Sequence, residues 1–527
     1  MTIVFRIFFF CIFFIVLFFS GKLSSLVITL PMNVRIFSLD FSIILDSMSM
    51  RGIGLVLLIS GCVFLFSHVY ISGDVNSNRF ILLLARFVFS IIILLISNSI
   101  PLLLVGWDGL GVTSFLLIVY YDRKTNNRSG LITFGINRFG DAVLIGTIIF
   151  FISYGHLIIG LYFRVFIIVR YIVVSMTKRA QYPFSIWLPL AMDAPTPVSA
   201  LVHRRTLVTA GLFLLARLRV ESFNIYLLVV GGITLCVGGF CAVFSSDLKK
   251  LIANSTLSNL GLISFVLALS NKSLILFHLF SHALFKAGLF ITAGAILINR
   301  FGVQDSRGLF GGSKEMPLLS SLLRAFFVSS TGIFFLSTFF SKHQIALLSQ
   351  IFCVNILSFR IIILGVILTT LYRLRFVVVM IRDKIRLSVR RKVPIIVMFS
   401  IFILAVRSIF FGNFLSYSLL NSSFCFELPL NIIVLLSLVL FINTSNRLSR
   451  NMGTTIFQID RFIDTLTKGR SKMLLVQQTD IGYRRFEMKG IIESFNKVSR
   501  SMIGIISTRR VNIRMFVVLR CLILLFT

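Results

Sequence analysis

Residues 180–203 read AQYPFSIWLPLAMDAPTPVSALVH and interrupt a chain that otherwise consists of long apolar runs. Four prolines, Pro183, Pro189, Pro195 and Pro197, prevent one regular helix here, because proline lacks a backbone N–H and its ring clashes with the preceding turn. Irregular backbone at membrane depth is tolerated only where protein buries it or where it lines a wet cavity. Broken helices of this kind often mark transport pathways, so the segment predicts the centre of a membrane transporter.

The chain on both sides of this segment has the composition of a membrane protein. Of 527 residues, 57% are hydrophobic and only 13% are charged. Runs of about 20 apolar residues cross a bilayer core of about 30 Å, and helices satisfy their own backbone hydrogen bonds in lipid. The sequence predicts an all-α polytopic membrane protein with about 15–16 transmembrane helices. The runs lie near 3–19, 43–66, 80–98, 100–120, 131–153, 157–175, 198–218, 223–244, 251–270, 273–298, 317–340, 352–380, 393–411, 428–443 and 510–527.

Several other classes of protein fit the sequence poorly. The net charge of +34 does not indicate nucleic-acid binding, since the basic residues are scattered among the apolar runs. The first run has little basic character and no cleavage site, so we expect a retained helix rather than a signal peptide. The seven cysteines show no C-x-x-C spacing and are expected to pack as small apolar residues, not to bind metal. No nucleotide-binding glycine motif is present, so we expect no redox cofactor in this chain.

The polar tail has the pattern of a helix that lies against a membrane domain. Residues 483–506 read YRRFEMKGIIESFNKVSRSMIGII, in which apolar residues recur on one helix face. A last apolar run follows. The pattern predicts a long amphipathic lateral helix and then a terminal transmembrane anchor.

Ionisable side chains inside apolar spans are costly, at about 2.5–3.5 kcal/mol each on insertion scales, and therefore mark functional candidates. His278, His282 and Lys286 recur every four residues and share one helix face. A lysine removed from water can lose its proton near neutral pH, so the row suits proton hopping. A metal site for the two histidines is less favoured, because no carboxylate or cysteine stands beside them and Lys286 would repel a cation. The other candidates are Asp108, Arg138, Asp141, Lys178, His203, Asp247, Lys249, Lys250, Lys342 and His343.

Asp108 and Lys178 are expected to form an acid–base ion pair between neighbouring helices. Opening such a pair would change the proton affinity of the lysine. Lys178 stands just before the broken segment, which suits a switch.

The motifs around these residues resemble those of the antiporter-like subunits of respiratory complex I, in particular the family of NADH-ubiquinone oxidoreductase chain 5. The resemblance covers about residues 100–345. Bacterial multisubunit cation/proton antiporters share this core, whereas the amphipathic tail followed by one span is similar to the complex I subunit alone. Besides the block at 180–203, the matching motifs are GWDGLG at 106–111, NRFGD at 137–141, DLKKLIANSTLSNLGL at 247–262, HALFKAGLF at 282–290 and FFSK at 339–342.

The resemblance implies an inverted-repeat architecture and a role for each matching residue. Asp108, where many members carry Glu, pairs with Lys178. The central hydrated axis is formed by His203, His278, His282 and Lys286, and Lys342 lies toward the exit. Lys249 belongs with these proton-translocating residues, and Arg138, Asp141 and Asp247 support them.

The resemblance also implies the setting in which the chain works. It implies proton translocation across the mitochondrial inner membrane, coupled to electron transfer from NADH to ubiquinone in other subunits. The partner subunits are expected to hold NAD, FMN, iron–sulfur clusters and ubiquinone. No redox centre is expected in this chain. The expected contacts are the neighbouring antiporter-like subunit, the subunits beneath the lateral helix, and lipids. A subunit of a cation/proton antiporter and a purely structural scaffold are the alternatives.

Together these features predict five regions along the chain. They are N-terminal transmembrane helices at 1–99, an antiporter-like proton-translocation core at 100–345, C-terminal transmembrane helices at 346–444, a polar linker with the lateral helix at 445–509, and the anchor at 510–527.

The chain departs from the family pattern at two places. Before the FFSK lysine, Phe334 stands in place of proline, Thr338 in place of glycine and His343 in place of aspartate, which affects the break and the polarity of that helix. Arginine also stands where the family commonly has serine, at Arg179 and at the pair 204–205. Many invertebrate mitochondrial genomes read AGA and AGG as serine, so we hypothesise that part of the arginine excess arises from the translation table.

Overall fold

Helices form most of the described chain, and one β-hairpin precedes them. The computed structural model describes residues 26–34, 37–154, 161–201, 211, 224–268, 272–300, 302–305, 315–332, 336–351, 356–381 and 393–419. The first run, the run at 428–443, the lateral helix and the anchor lie outside the described residues. So do His203, the arginine pair at 204–205 and Phe334.

The hairpin pairs β1 (Leu26–Val34) with β2 (Phe37–Leu45) in antiparallel register, with Leu26 opposite Leu45. The predicted helix over 43–66 is therefore wrong for its first residues. In β2 apolar and polar residues alternate as FSLDFSIIL, which is the period of a strand. Asp46 then closes the strand and forms a capping box with Ser49, so the helix starts only at Ser47.

The α-helices of the described residues are numbered in chain order. They are α1 (Ser47–Tyr70), α2 (Ser77–Ile96), α3 (Ile100–Ile118), α4 (Lys124–Tyr154), α5 (Leu161–Lys178), α6 (Trp187–Leu190), α7 (Thr196–Leu201), α8 (Asn224–Phe244), α9 (Leu248–Ala268), α10 (Lys272–Asn299), α11 (Pro317–Thr331), α12 (Ser337–Ile351), α13 (Ile356–Ile381) and α14 (Ile395–Leu419).

Six helices among the described residues are long and apolar enough to cross a membrane, namely α1, α2, α3, α8, α9 and α10. This agrees with the predicted class, an all-α membrane protein, to which the hairpin is an addition. The total of about 15–16 spans concerns the whole chain and stays a prediction.

The proline-rich segment is broken, as the sequence predicts. After α5 ends at Lys178, the chain turns through residues 179–186 before the single turn of α6. The indole Nε1 of Trp187 donates to the carbonyl of Thr177 at 2.9 Å, which gives a partner to a carbonyl near the free end of α5. Pro195 lies buried just before α7, and Pro197 lies buried in the first turn of α7.

A second break divides the apolar run at 317–340, which the sequence predicts as one helix. The structure ends α11 at Thr331, and Gly332 follows with φ of 90°. This left-handed conformation is the usual helix C-terminus and favours glycine. The next helix, α12, begins at Ser337. The single-helix prediction is wrong because apolar periodicity does not register one glycine that leaves the helical region.

Helix α10 is the centre of the bundle. It packs against α1, α7, α9, α11, α12 and α14, and nearly all of its side chains are buried. Beside it, α8 and α9 approach closely through glycines. A Cβ added at Gly261 would overlap the backbone nitrogen of Leu235, and one at Gly238 would overlap the backbone of Ser258. Small residues let helix backbones approach in this way.

We expect Gly261→Leu to destabilise the protein by at least about 3 kcal/mol, at or above the top of the range for overpacked cores, because backbone and not a flexible side chain fills the space. Gly135→Leu on α4 is the matched control, since nothing lies near its added Cβ. The measurement is the thermal unfolding midpoint of the purified protein. Equal midpoints for the two variants would contradict this account of the α8–α9 contact.

Candidate functional site

Lys178, the last residue of α5, is fully buried between α3 and α4. Its Nζ donates to the carbonyl of Trp107 at 3.0 Å and lies 4.9 Å from the centre of that indole ring. The same Nζ is 3.7 Å from Oδ1 of Asp141. A buried ammonium needs both oxygen partners and an opposite charge, and this position supplies both.

Asp108 pairs with Arg138, at 2.6 Å, and not with Lys178 as predicted. Both side chains of this pair are about two-fifths exposed, at 43% and 39%. Arg138 on α4 reaches across to α3, and Asp141, nearly one helical turn further along, faces Lys178 instead. The expected Asp108–Lys178 pair is therefore wrong, because α4 supplies Arg138 to Asp108 and Asp141 to Lys178.

Asp141 connects the two pairs. Its Oδ1 accepts a hydrogen bond from the indole Nε1 of Trp107 at 2.8 Å, and its Oδ2 is 3.5 Å from Arg138. The carboxylate thus lies between a buried ammonium and a half-exposed guanidinium. We refer to Trp107, Asp108, Arg138, Asp141 and Lys178 as the charge cluster.

The predicted row on α10 is present and buried. The rings of His278 and His282 lie nearly parallel, with an interplanar angle of 20° and centroids 6.4 Å apart. One turn further, Nζ of Lys286 donates to the carbonyl of Ile252 at 3.1 Å and to the hydroxyl of Ser255, both on α9. All three side chains are enclosed by neighbouring helices.

The row continues from α10 onto α12. Nδ1 of His278 lies 2.9 Å from the hydroxyl of Ser341, and Lys342 is the next residue. Nζ of Lys342 donates to the carbonyls of Ser330 and Thr331 at 3.2 and 3.0 Å. These are free carbonyls at the end of α11, where a cation is favourable. Lys342 also lies 3.5 Å from the hydroxyl of Thr369 on α13.

Two of the departures from the family pattern, Thr338 and His343, are compatible with the break between α11 and α12. The hydroxyl of Thr338 donates to the carbonyl of Ser329 at 2.6 Å, so this side chain satisfies the broken end of α11. His343 is buried with its ring centroid 4.3 Å from that of Phe339. The conformation of Gly332 ends α11, and the side chains of Thr338 and Lys342 donate to the carbonyls that are left free at this end.

Lys249 joins the start of α9 to the broken segment. Its Nζ donates to the carbonyl of Ala194 at 3.3 Å, and the side chain is buried. Asp247 lies apart from the row and pairs with Lys250 at 3.3 Å, where both side chains are partly exposed. The sequence groups these three residues, and the structure separates the buried lysine from the exposed pair.

Sequence reasoning misses the neutral members of the row. Ser255, Ser341 and Thr369 supply hydroxyls, and carbonyls of broken or neighbouring helices supply the rest. A hydroxyl inside an apolar span is the only signal, and such residues are too common to single out. Among the described ranges no group of three or more His, Cys, Asp or Glu side chains gathers as a metal site would require.

The line of buried polar side chains that runs from Ser255 through Lys286, His282, His278 and Ser341 to Lys342 is called the polar row below. It crosses three helices, α9, α10 and α12, and consists of groups that can both accept and donate a proton. The described residues do not extend it to the charge cluster.

Comparison with known proteins gives the same family from sequence alone. Residues 97–371 match the transmembrane family of NADH:quinone oxidoreductase and Mrp antiporters, and residues 32–81 match the N-terminal family of complex I chain 5. NADH-ubiquinone oxidoreductase chain 5 of Anopheles quadrimaculatus is 38% identical over 76% of this chain and 73% of its own length. That of Aedes aegypti is 39% identical over 72% and 68%. The chain belongs to the NADH-ubiquinone oxidoreductase chain 5 family.

The fold of this chain 5 family member is also that of a solved antiporter structure. The Mrp complex from Dietzia sp. DQ12-45-1b matches with a TM-score of 0.73 over 94% of this chain and 59% of that chain, at 20% identity. The identity is low, so this likeness concerns the fold alone.

We expect Trp107→Phe to cost about 1.5–3 kcal/mol of stability, because it removes a hydrogen bond to the charged Asp141 and keeps the ring. Trp187→Phe is the matched control. It removes a bond to a neutral carbonyl from an equally buried indole and should cost about 0.5–1.5 kcal/mol. Thermal unfolding of the two purified variants measures the difference, and a larger loss for Trp187→Phe would contradict the charged state of Asp141.

Proposed function

We propose that this chain is the chain 5 subunit of respiratory complex I and carries protons across the mitochondrial inner membrane. The observation that carries the proposal is the polar row, in which titratable groups lie one helical turn apart inside a membrane-spanning bundle. Such residues are costly in a membrane and are placed there for transport or proton transfer. The relatives named above carry the same chain 5 description.

The row works as a series of proton-holding groups. Lys286 gives its proton toward His282, and the imidazole rings of His282 and His278 pass it along because each has two nitrogens. From His278 the hydroxyl of Ser341 leads to Lys342. The ring separation of 6.4 Å is too long for direct transfer, so water joins the two histidines when the row conducts.

The charge cluster acts as the switch. Asp141 lies within reach of both Lys178 and Arg138, so a small shift of its carboxylate moves negative charge from one cation to the other. When the carboxylate turns to Arg138, the buried ammonium of Lys178 loses its counter-charge and releases its proton more readily. Asp108 holds Arg138 in place for this exchange.

The energy for pumping comes from other subunits. Moving one proton against 100 mV costs about 2.3 kcal/mol. This chain has no nucleotide-binding glycine motif, and electron transfer from NADH to ubiquinone is assigned to partners that hold NAD, FMN, iron–sulfur clusters and ubiquinone. Its neighbours are the adjacent antiporter-like subunit, the subunits beneath the lateral helix, and lipids.

A subunit of a cation/proton antiporter is the second candidate, because the matching transmembrane family includes Mrp antiporters and the solved Mrp complex has this fold. Purification distinguishes the two. Co-purification with a redox complex supports the complex I subunit, and co-purification with antiporter subunits alone contradicts it.

We expect Lys286→Met to reduce proton pumping by at least tenfold while NADH oxidation by the other subunits persists, because the polar row loses the ammonium that follows His278 and His282 on α10. Lys250→Met is the matched control, since its side chain is 46% exposed and pairs locally with Asp247. Proton uptake per NADH oxidised in sealed membrane vesicles measures the effect. Unchanged pumping in Lys286→Met, or equal loss in both variants, would contradict the proposal.

We expect Asp141→Asn to impair pumping more than Asp108→Asn. The first removes the carboxylate that faces Lys178, whereas the second removes the outer, half-exposed member of the cluster. The measurement is again protons moved per NADH oxidised. A greater loss in Asp108→Asn would place the switch at the outer pair and refute the assignment of Asp141.

A further inference from the structure

Arg179 has a place in the fold that does not suit a guanidinium. Its side chain is fully buried, and Nε, Nη1 and Nη2 all lack a hydrogen-bond partner. Its aliphatic stem lies so close to Gly211 that a Cβ there would come within 2.8 Å of Cγ. Burying a charge without an opposite charge or hydrogen bonds is strongly unfavourable.

Arg373 on α13 is a second buried arginine whose terminal nitrogens lack hydrogen-bond partners. Its guanidinium carbon lies over the ring of Tyr372 at 5.2 Å, and Nη1 and Nη2 remain without an acceptor. Two other basic side chains, Lys342 and His278, lie within electrostatic range. The arginine adds a third basic group where no carboxylate is paired with it.

The buried lysines of the core, unlike these two arginines, all have hydrogen-bond acceptors. Lys178, Lys249, Lys286 and Lys342 each donate to at least one backbone carbonyl. The arginines whose positions suit them also have partners: Arg138 pairs with two carboxylates, and Arg375, two residues after Arg373, donates to the carbonyl of Val243. Only positions 179 and 373 combine full burial with unpaired terminal nitrogens among the arginines of the described residues.

We infer that the side chain at both positions is serine in the protein as the cell makes it, because the gene carries AGA or AGG codons that are decoded as serine. The burial at 373 extends the hypothesis from the family-motif positions to one that no motif marks. A serine fits because its hydroxyl can bond to a backbone carbonyl of the preceding helical turn, which is α5 for position 179 and α13 for position 373. Buried serines of this chain do so repeatedly, as Ser175 does to Ile172 and Ser408 to Ala405.

The substitution changes the chemistry around the polar row. With serine at 373, Lys342 and His278 lose a permanent positive neighbour, so a proton arriving there meets less repulsion. A hydroxyl at 373 lies on the same helix as Thr369, which already contacts Lys342. At 179, a serine next to Lys178 leaves that lysine as the single cation at the end of α5.

Codons and peptide masses together test the inference. We expect AGA or AGG at codons 179 and 373, and peptides from the natively purified complex, cut with chymotrypsin, whose masses correspond to serine at both positions. CGN codons at either position, or a peptide with the mass of arginine there, overturn the inference for that position. The codons give a result even where a membrane peptide escapes detection.

Arg138 and Arg375 are the internal controls. Arg138 pairs with carboxylates and Arg375 donates to a backbone carbonyl, so we expect CGN codons and the mass of arginine at each. Serine at these two positions as well would show that burial and pairing do not distinguish the decoded residues. The inference rests on the proposed mitochondrial location, yet the masses read the residues directly, so a nuclear gene would refute the location separately.

Discussion

An ammonium group inside a bundle of apolar helices must be given oxygen atoms, and this requirement shapes the core. Lipid chains offer no hydrogen-bond partners, so the oxygen atoms have to come from the protein or from water that it encloses. Side-chain carboxylates are scarce here, with 18 acidic against 52 basic residues in the whole chain. The fold uses backbone carbonyls instead, and an intact helix has few to offer because each carbonyl already accepts from the residue four places on.

Breaks in the helices provide carbonyl oxygens that accept no hydrogen bond within their own helix. The end of α11 leaves carbonyls free, and Lys342 and Thr338 take them. In the proline-rich segment the carbonyl of Ala194 is available to Lys249 because the chain there forms no regular helix. For Lys249 and Lys342, the break in the helix and the buried lysine are therefore two parts of one arrangement, since each would be unfavourable without the other. Lys178 and Lys286 instead donate to carbonyls within the regular helices α3 and α9.

The sequence predicts the parts of this arrangement that depend on residue type and misses those that depend on geometry. Four prolines identify the first break, and four-residue spacing identifies the row on α10. The second break depends on the conformation of Gly332, which no periodicity reveals. The partner of Lys178 could not be predicted either, because two carboxylates, Asp108 and Asp141, are available and only the packing of α4 decides between them.

The position of α10 explains how local changes could reach the row. This helix packs against α7 in the first break and against both α11 and α12 around the second. Closely packed helices shift as bodies and not atom by atom, because interiors have few voids to absorb a displacement. A movement at either break must therefore alter the spacing between the groups of the row. Since proton transfer along the row needs water between rings 6.4 Å apart, a small change in that spacing is enough to open or close it.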